Sequence, residues 1–211
     1  MTFARDGFIT MPSLLTASEC EAAFADVVAS FCEGLPSYVH EPRLRVHHPL
    51  RLTPAVHHVL TTVMRAGETS AREFLGERTA LAELSAVTVF PGALAQKVHP
   101  DEAVAGKIFF TAFVNLVATR EDNGALHVYP GSHHAPTAPV ENGEAPRVLA
   151  LPLGSVVFMD GKLRHYGGAN RSHETRPVLY ASFGDLDIRG PAYSIREELK
   201  GKHRLEDFLD P

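Results

Sequence analysis

From Leu84 onward the chain is written in short runs of β-branched and aromatic residues, cut by Gly and Pro turns, and this pattern restricts the fold more than any other feature. The runs are Ser85 to Phe90, Ile108 to Asn115, Arg147 to Leu151, Ser155 to Met159 and Val178 to Phe183. A helix that covers a core needs an apolar stripe near a 3.6-residue period, whereas these runs suit pleated, half-buried surfaces. They predict an all-β barrel or jelly roll. The N-terminal part is α-rich. Asp6-Gly7-Phe8-Ile9-Thr10-Met11-Pro12 reads as a short strand, and Thr16-Ala17-Ser18-Glu19 as a capping box that opens a helix running to about Ser30. Helical spacing recurs over Pro54 to Met64 and again over Ser70 to Leu75, which predicts two more amphipathic helices outside the sheet. The expected class is mainly β with flanking α-helices. The expected organisation is one domain over residues 1–211, with an α-rich buttress and first strands over 1–83 and a barrel core over 84–185. Ala135 to Pro146, rich in Pro, Glu, Asn and Gly, reads as one long surface loop.

Composition narrows the possible partners. A chain of 211 residues, 45% hydrophobic, can bury one good-sized core. The formal charge of −5 and the lack of a Lys/Arg-rich run argue against nucleic acid, because neutralising phosphates takes a basic face. Met1 to Gly7 has neither a charged nor an apolar leader region, and no apolar stretch reaches membrane length, so the expectation is a cytoplasmic protein with no membrane partner. Cys20 and Cys32 match no metal or redox spacing and read as reduced packing residues.

The chemistry concentrates in Gln96-Lys97-Val98-His99-Pro100-Asp101 and in His165-Tyr166-Gly167-Gly168-Ala169-Asn170, followed by Arg176. Residues two apart in an extended segment point the same way, so His99 and Asp101 can face one ion, and an antiparallel barrel can bring His165 beside them. Two imidazoles and one carboxylate are the donor set that holds non-haem Fe(II) on one face and leaves the other open. A bare His-X-Asp is weak evidence in a chain with 12 histidines. Its surroundings make it specific.

Over about residues 84–183 the chain resembles the phytanoyl-CoA dioxygenase family of Fe(II)/2-oxoglutarate-dependent oxygenases. The resemblance rests on the His-X-Asp, then Asn123-Gly124-Ala125-Leu126-His127-Val128-Tyr129-Pro130-Gly131-Ser132-His133, then Gly154-Ser155-Val156-Val157-Phe158, His165 and Arg176. Asp6-Gly7-Phe8 also matches. It implies a double-stranded β-helix with helical buttresses, His99, Asp101 and His165 as iron ligands, and 2-oxoglutarate and O2 as cosubstrates. Arg176 would bind the far carboxylate of 2-oxoglutarate, a task that suits a guanidinium fork. Gln96 matches a position where some relatives contact the cosubstrate. Decarboxylation to succinate and CO2 would accompany hydroxylation, desaturation or cyclisation of the substrate. Asp101 argues for oxygenation over halogenation, since halogenating relatives carry a small residue there.

Further candidates come from strand parity. Thr111 and Asn115 can aim into the barrel, Thr111 as a cosubstrate contact, and Ser182 can sit beside Arg176. His133 and His134 read as structural. Arg43, Arg45, His47, His48 and Arg51 form a cationic stretch that favours an anionic substrate if it faces the mouth. Lys97 and Tyr129 are candidate mouth residues. Residues near Tyr38 to Arg51, 135–146 and 187–193 are the candidates for a lid, and so short a mouth suits a small or carrier-bound substrate. The sequence leaves monomer and homodimer open. Two other classes stay open as well: a cupin-like metalloenzyme that does not use 2-oxoglutarate, which has no need of Arg176, and a non-catalytic barrel module, which has no need of an intact triad.

Overall fold

Local signals set the order of elements. One turn of helix, α1 (Phe3–Asp6), stops at Gly7, whose φ of 78° suits a residue without a Cβ, and strand β1 (Phe8–Met11) follows. Thr16 and Glu19 close the expected capping box, the Thr16 N–H donating to Glu19 Oε2 at 2.8 Å, and open α2 (Ala17–Cys32). Then come β2 (Tyr38–His40) and β3 (Arg45–Pro49). The computed structural model describes residues 2–33, 38–40, 44–102, 106–137, 145–185 and 194–209; Arg43, most of the 135–146 loop and residues 187–193, read above as lid candidates, lie outside these.

The two helices expected after residue 53 are one. Helix α3 (Pro54–Leu75) runs 22 residues from a Thr53 cap, with Pro54 in the first turn. Gly67 does not break it, because the helix packs there directly on the sheet: a Cβ at Gly67 would stand 2.4 Å from the Phe158 ring. Gly67→Ala sets a helix-propensity gain of at most about 1 kcal/mol against an overpacking penalty of about 1–3 kcal/mol. Overpacking should win, and a lower melting temperature for Gly67→Ala would show it.

The remaining strands are β4 (Ala80–Val89), β5 (Phe109–Asn115), β6 (Leu126–Val128), β7 (Arg147–Leu149), β8 (Val156–Asp160), β9 (His165–Gly167) and β10 (Arg176–Gly184). They form a seven-stranded antiparallel sheet, β1-β8-β5-β10-β4-β3-β2, and a three-stranded one, β7-β6-β9. Side-chain alternation divides the large sheet into two faces. Leu84, Ala86, Ala112, Val114, Leu179 and Ala181 face outward, into a core closed by Val27, Val56, Leu60 and Met64 of α2 and α3. The inner face meets the small sheet, where Phe8, Val157 and Met159 pack with Val128, Leu149 and Leu163. The result is the expected jelly roll with helices buttressing one side. Its inner face carries Arg176, Val178, Tyr180 and Ser182 along β10. No helix among the described residues is long and apolar enough to cross a membrane.

Candidate metal centre

His99 and His165 face each other across an irregular edge of the small sheet. Each backbone N–H donates to the other's carbonyl, at 3.0 and 2.9 Å. Each imidazole Nδ1 also meets the carbonyl two residues before it, Lys97 O at 2.8 Å and Leu163 O at 2.9 Å. A carbonyl only accepts, so these contacts place the proton on Nδ1 and leave both Nε2 lone pairs free. Both point toward Asp101, whose Oδ1 lies 3.9 Å from His99 Nε2 and 3.5 Å from His165 Nε2. With bonds of roughly 2.1 Å, ligands at right angles stand about 3 Å apart, so a small closure around one divalent ion suffices. Among the described residues this is the group whose donors converge for a metal, all within 4.8 Å. The site opens to one side: the side chain of His165 is 5% exposed, those of His99 and Asp101 38% and 27%. Burial pushes the His165 pKa down and favours the neutral ring a metal requires, although Asp101 pulls the other way.

Deeper in, Arg176 begins β10 opposite Val89 of β4, and Arg45 of β3 lies across the same Val89, so both arginines share the inner face. Both are buried. Arg45 is held by backbone oxygens, its Nη2 donating to Gly168 O at 2.7 Å and Leu94 O at 3.2 Å. The Nε of Arg176 is buried without a hydrogen-bond partner. Burial, and then the charge of Arg45, lower the Arg176 pKa to about 9, and burial alone lowers that of Arg45 to about 10. Among the described residues no carboxylate pairs with either, and two buried cations are unfavourable unless an anion joins them. The donor set and the unmatched arginine therefore fit a divalent metal and a dicarboxylate respectively.

The other expected residues divide. Gln96 lies beside β9, where its Oε1 accepts from Gly167 N–H at 2.9 Å, which leaves the amide NH2 as the group able to meet a ligand. Thr111 does face inward, and its Oγ1 is 2.9 Å from Ser182 Oγ. Ser182 is not beside Arg176: both lie on β10, six positions apart, and Ser182 instead pairs with Thr111 and with Glu83 of β4. Of the cationic stretch, Arg45 and His47 turn inward, His48 is buried against the Val27 carbonyl, and Arg51 pairs with Glu33 at 2.9 Å. His133 stands over Gly7 with Nε2 near Ala4 O at 3.1 Å, and the exposed ring of His134 lies against it. Lys97 is exposed and offers its carbonyl to His99, and Tyr129 is buried under Arg164. Asn170 received no role from the sequence. It ties the segment after β9 to the end of β4 and to the approach to β10 by donating to Val89 O at 3.0 Å and Glu174 O at 2.8 Å.

The phytanoyl-CoA dioxygenase (PhyH) family model matches residues 3–178, most of the chain. The chain belongs to this family. Among curated relatives, dioxygenase trt7 of Aspergillus terreus is 32% identical over 104 residues, 43% of this chain and 36% of the relative. Dioxygenase af480 of Aspergillus fumigatus is 29% identical over 129 residues, 56% of this chain and 42% of the relative. The chain thus matches about two-fifths of the length of these relatives. The solved structure of HygX from Streptomyces hygroscopicus, with nickel and 2-oxoglutarate bound, superposes with a TM-score of 0.66 at 16% identity, covering 92% of this chain and 93% of that one. The epimerase SnoN from nogalamycin biosynthesis gives 0.69 at 20% identity, covering 87% and 80%. These likenesses confirm the jelly roll of the PhyH family.

Proposed function

We propose that the chain is a non-haem Fe(II)- and 2-oxoglutarate-dependent dioxygenase. It hydroxylates, desaturates or cyclises a small organic substrate, with release of succinate and CO2. One observation carries the reading: a three-donor group open on one side, with a buried arginine, its Nε without a partner, on the inner face of the large sheet. A metalloenzyme without a dicarboxylate cosubstrate has no use for a cation so placed, and a binding module has no use for the donors. The molecules in two neighbour structures, nogalamycin RO with SnoN and hygromycin B with HygX, support a small-molecule substrate from secondary metabolism. An anionic or carrier-bound substrate has less support, because Arg45 is turned to backbone oxygens and Arg51 to Glu33.

In this reading His99, Asp101 and His165 hold Fe(II), and Arg176 holds the far carboxylate of 2-oxoglutarate through its fork, with Arg45 adding charge beside it. Gln96 would offer its amide NH2. When bound, iron with 2-oxoglutarate and O2 supplies the oxidising power, one oxygen atom passing to succinate and the other becoming available to the substrate. The chain orients and excludes. The Nδ1–carbonyl contacts fix both imidazoles before any ion arrives, so little reorganisation is left for binding. Val87, Val89, Val178 and Tyr180 make an apolar wall that keeps water from the cosubstrate.

An anaerobic titration of purified protein with Fe(II) and then 2-oxoglutarate tests this. The expected result is a visible metal-to-cosubstrate charge-transfer band that saturates at one equivalent of iron. A folded protein that binds iron and shows no band at any cosubstrate concentration would rule the assignment out.

A further inference from the structure

The inner face of the barrel is polarised along its length. At one end lie Arg45 and Arg176. Six residues further along β10, roughly 20 Å of strand, Ser182 bridges Thr111 on one side and Glu83 on the other. Ser182 has one proton and donates it to Glu83 Oε2 at 2.8 Å, so Thr111 must donate to Ser182. Ser194 is the second hydroxyl bonded to the Glu83 carboxylate. The row is therefore oriented, every proton in it directed toward Glu83. A register shift follows at once: Ser182 pairs with Glu83 but Phe183 with Leu81, which leaves Ala82 as the extra residue of a bulge. Bulges recur beside active sites because they re-aim a side chain.

Glu83 lies toward the metal end of the barrel: Glu102, next to Asp101, donates its N–H to Gly161 O at 2.9 Å, Gly161 donates to Phe109 O at 2.7 Å, and Phe109 pairs with Gly184, two positions beyond Ser182. The Asp101 charge reaches it and, after burial, is the next cause raising its pKa to about 7, whereas Arg176 responds to burial and Arg45 alone. A dicarboxylate reaching from Arg176 toward the triad would leave Glu83 on the side where substrate must sit. The residue is partly exposed, so a small polar group can reach it. Among the described residues its hydrogen-bond partners are two neutral hydroxyls, which take two of about four acceptor positions. A further neutral hydroxyl would add little. A cationic donor would add a charge-assisted bond about twice as strong and would bring a positive charge directly onto the partly buried carboxylate.

We propose that Glu83 anchors a protonated amine of the substrate. The oxidised substrates of this chain are therefore amine-bearing molecules, held by that amine on the metal side of the barrel. The inference rests on the dioxygenase reading for what lies at the other end of the cavity.

The test uses the full chain with Ni(II) and 2-oxoglutarate, and a matched probe pair, glucosamine and N-acetylglucosamine, followed by ligand-observed NMR. The Fe(II)/2-oxoglutarate band is recorded on the same preparations. Wild type should bind the amine at least tenfold more tightly than the amide. Glu83→Gln keeps the size of the side chain, removes its charge and should erase the preference, a loss of roughly ten- to a hundredfold for one charged hydrogen bond. Glu83→Asp should keep part of it, which a merely structural role would not produce. A band in wild type with equal or absent binding of the two probes, or a preference that survives in Glu83→Gln, would overturn the anchor and leave the dioxygenase standing. An amine preference without a band would do the reverse.

Discussion

His165→Ala should abolish iron binding in a protein that still folds, and turnover with it. His165 is the most enclosed of the three donors, and its Nε2 is the nearer of the two imidazole nitrogens to Asp101, at 3.5 Å. Losing a contact that merely supports a ligand typically weakens metal affinity 10- to 100-fold. Losing the ligand itself should exceed that, because two donors, both partly open to water, cannot exclude competing water ligands. Equilibrium dialysis against Fe(II), without oxygen, measures it directly. The backbone bonds between residues 99 and 165 involve no side chain, so the local fold should survive. Retention of wild-type iron affinity would remove His165 from the site.

The second large effect separates function from stability by sign. Arg176→Ala should leave iron binding intact and weaken 2-oxoglutarate roughly a hundredfold or more, from two charge-assisted bonds of about 1.5–3 kcal/mol each. Arg176→Lys should fall between, since an ammonium cannot make two parallel bonds to one carboxylate. Arg176→Leu adds a test without cosubstrate. The wild-type guanidinium is buried next to Arg45 and its Nε has no partner. Replacing an unmatched buried cation with an apolar side chain should raise stability, by about 1–4 kcal/mol on the scale of comparable replacements. Cosubstrate concentration for half-maximal band intensity and the melting temperature of ligand-free protein should therefore both rise in Arg176→Leu. A drop in melting temperature would show that Arg176 holds the fold rather than waiting for an anion.

How legible these features are in the sequence depends on how local their causes are. Strands β4, β5, β8 and β10 are visible because each carries a short apolar run rich in β-branched or aromatic residues: Val87-Thr88-Val89, Phe109-Phe110-Thr111, Val156-Val157-Phe158 and Val178-Leu179-Tyr180. β6 and β9 are three residues long and read Leu126-His127-Val128 and His165-Tyr166-Gly167; pairing with neighbours defines them, and pairing leaves no periodicity in so short a segment. The two expected helices merge into α3 because Gly67 looks like a break until Phe158, far along the chain, is placed against it. The same distinction governs the site. His99, Asp101, His165 and Arg176 announce themselves by residue type and order. Arg45 does not, since a basic residue in a basic stretch looks solvated until β3 is known to pair with β4. Glu83 shares the parity of Ser85, Val87 and Val89, but a lone carboxylate in a strand does not say which face of which sheet it will meet.

The edge that bears His99 and Asp101 has a further consequence. It is no regular strand, and it hangs on β9 by few backbone bonds, chiefly Gln96 N–H to Gly167 O and the reciprocal pair between His99 and His165. An ion shared by His99, Asp101 and His165 would fasten this edge to β9, acting as a clasp as well as a reagent. Any ligand that prefers the folded form stabilises it by mass action. The integrity of that rim would then follow the supply of iron, and a starved molecule would loosen first at the place where its chemistry is done.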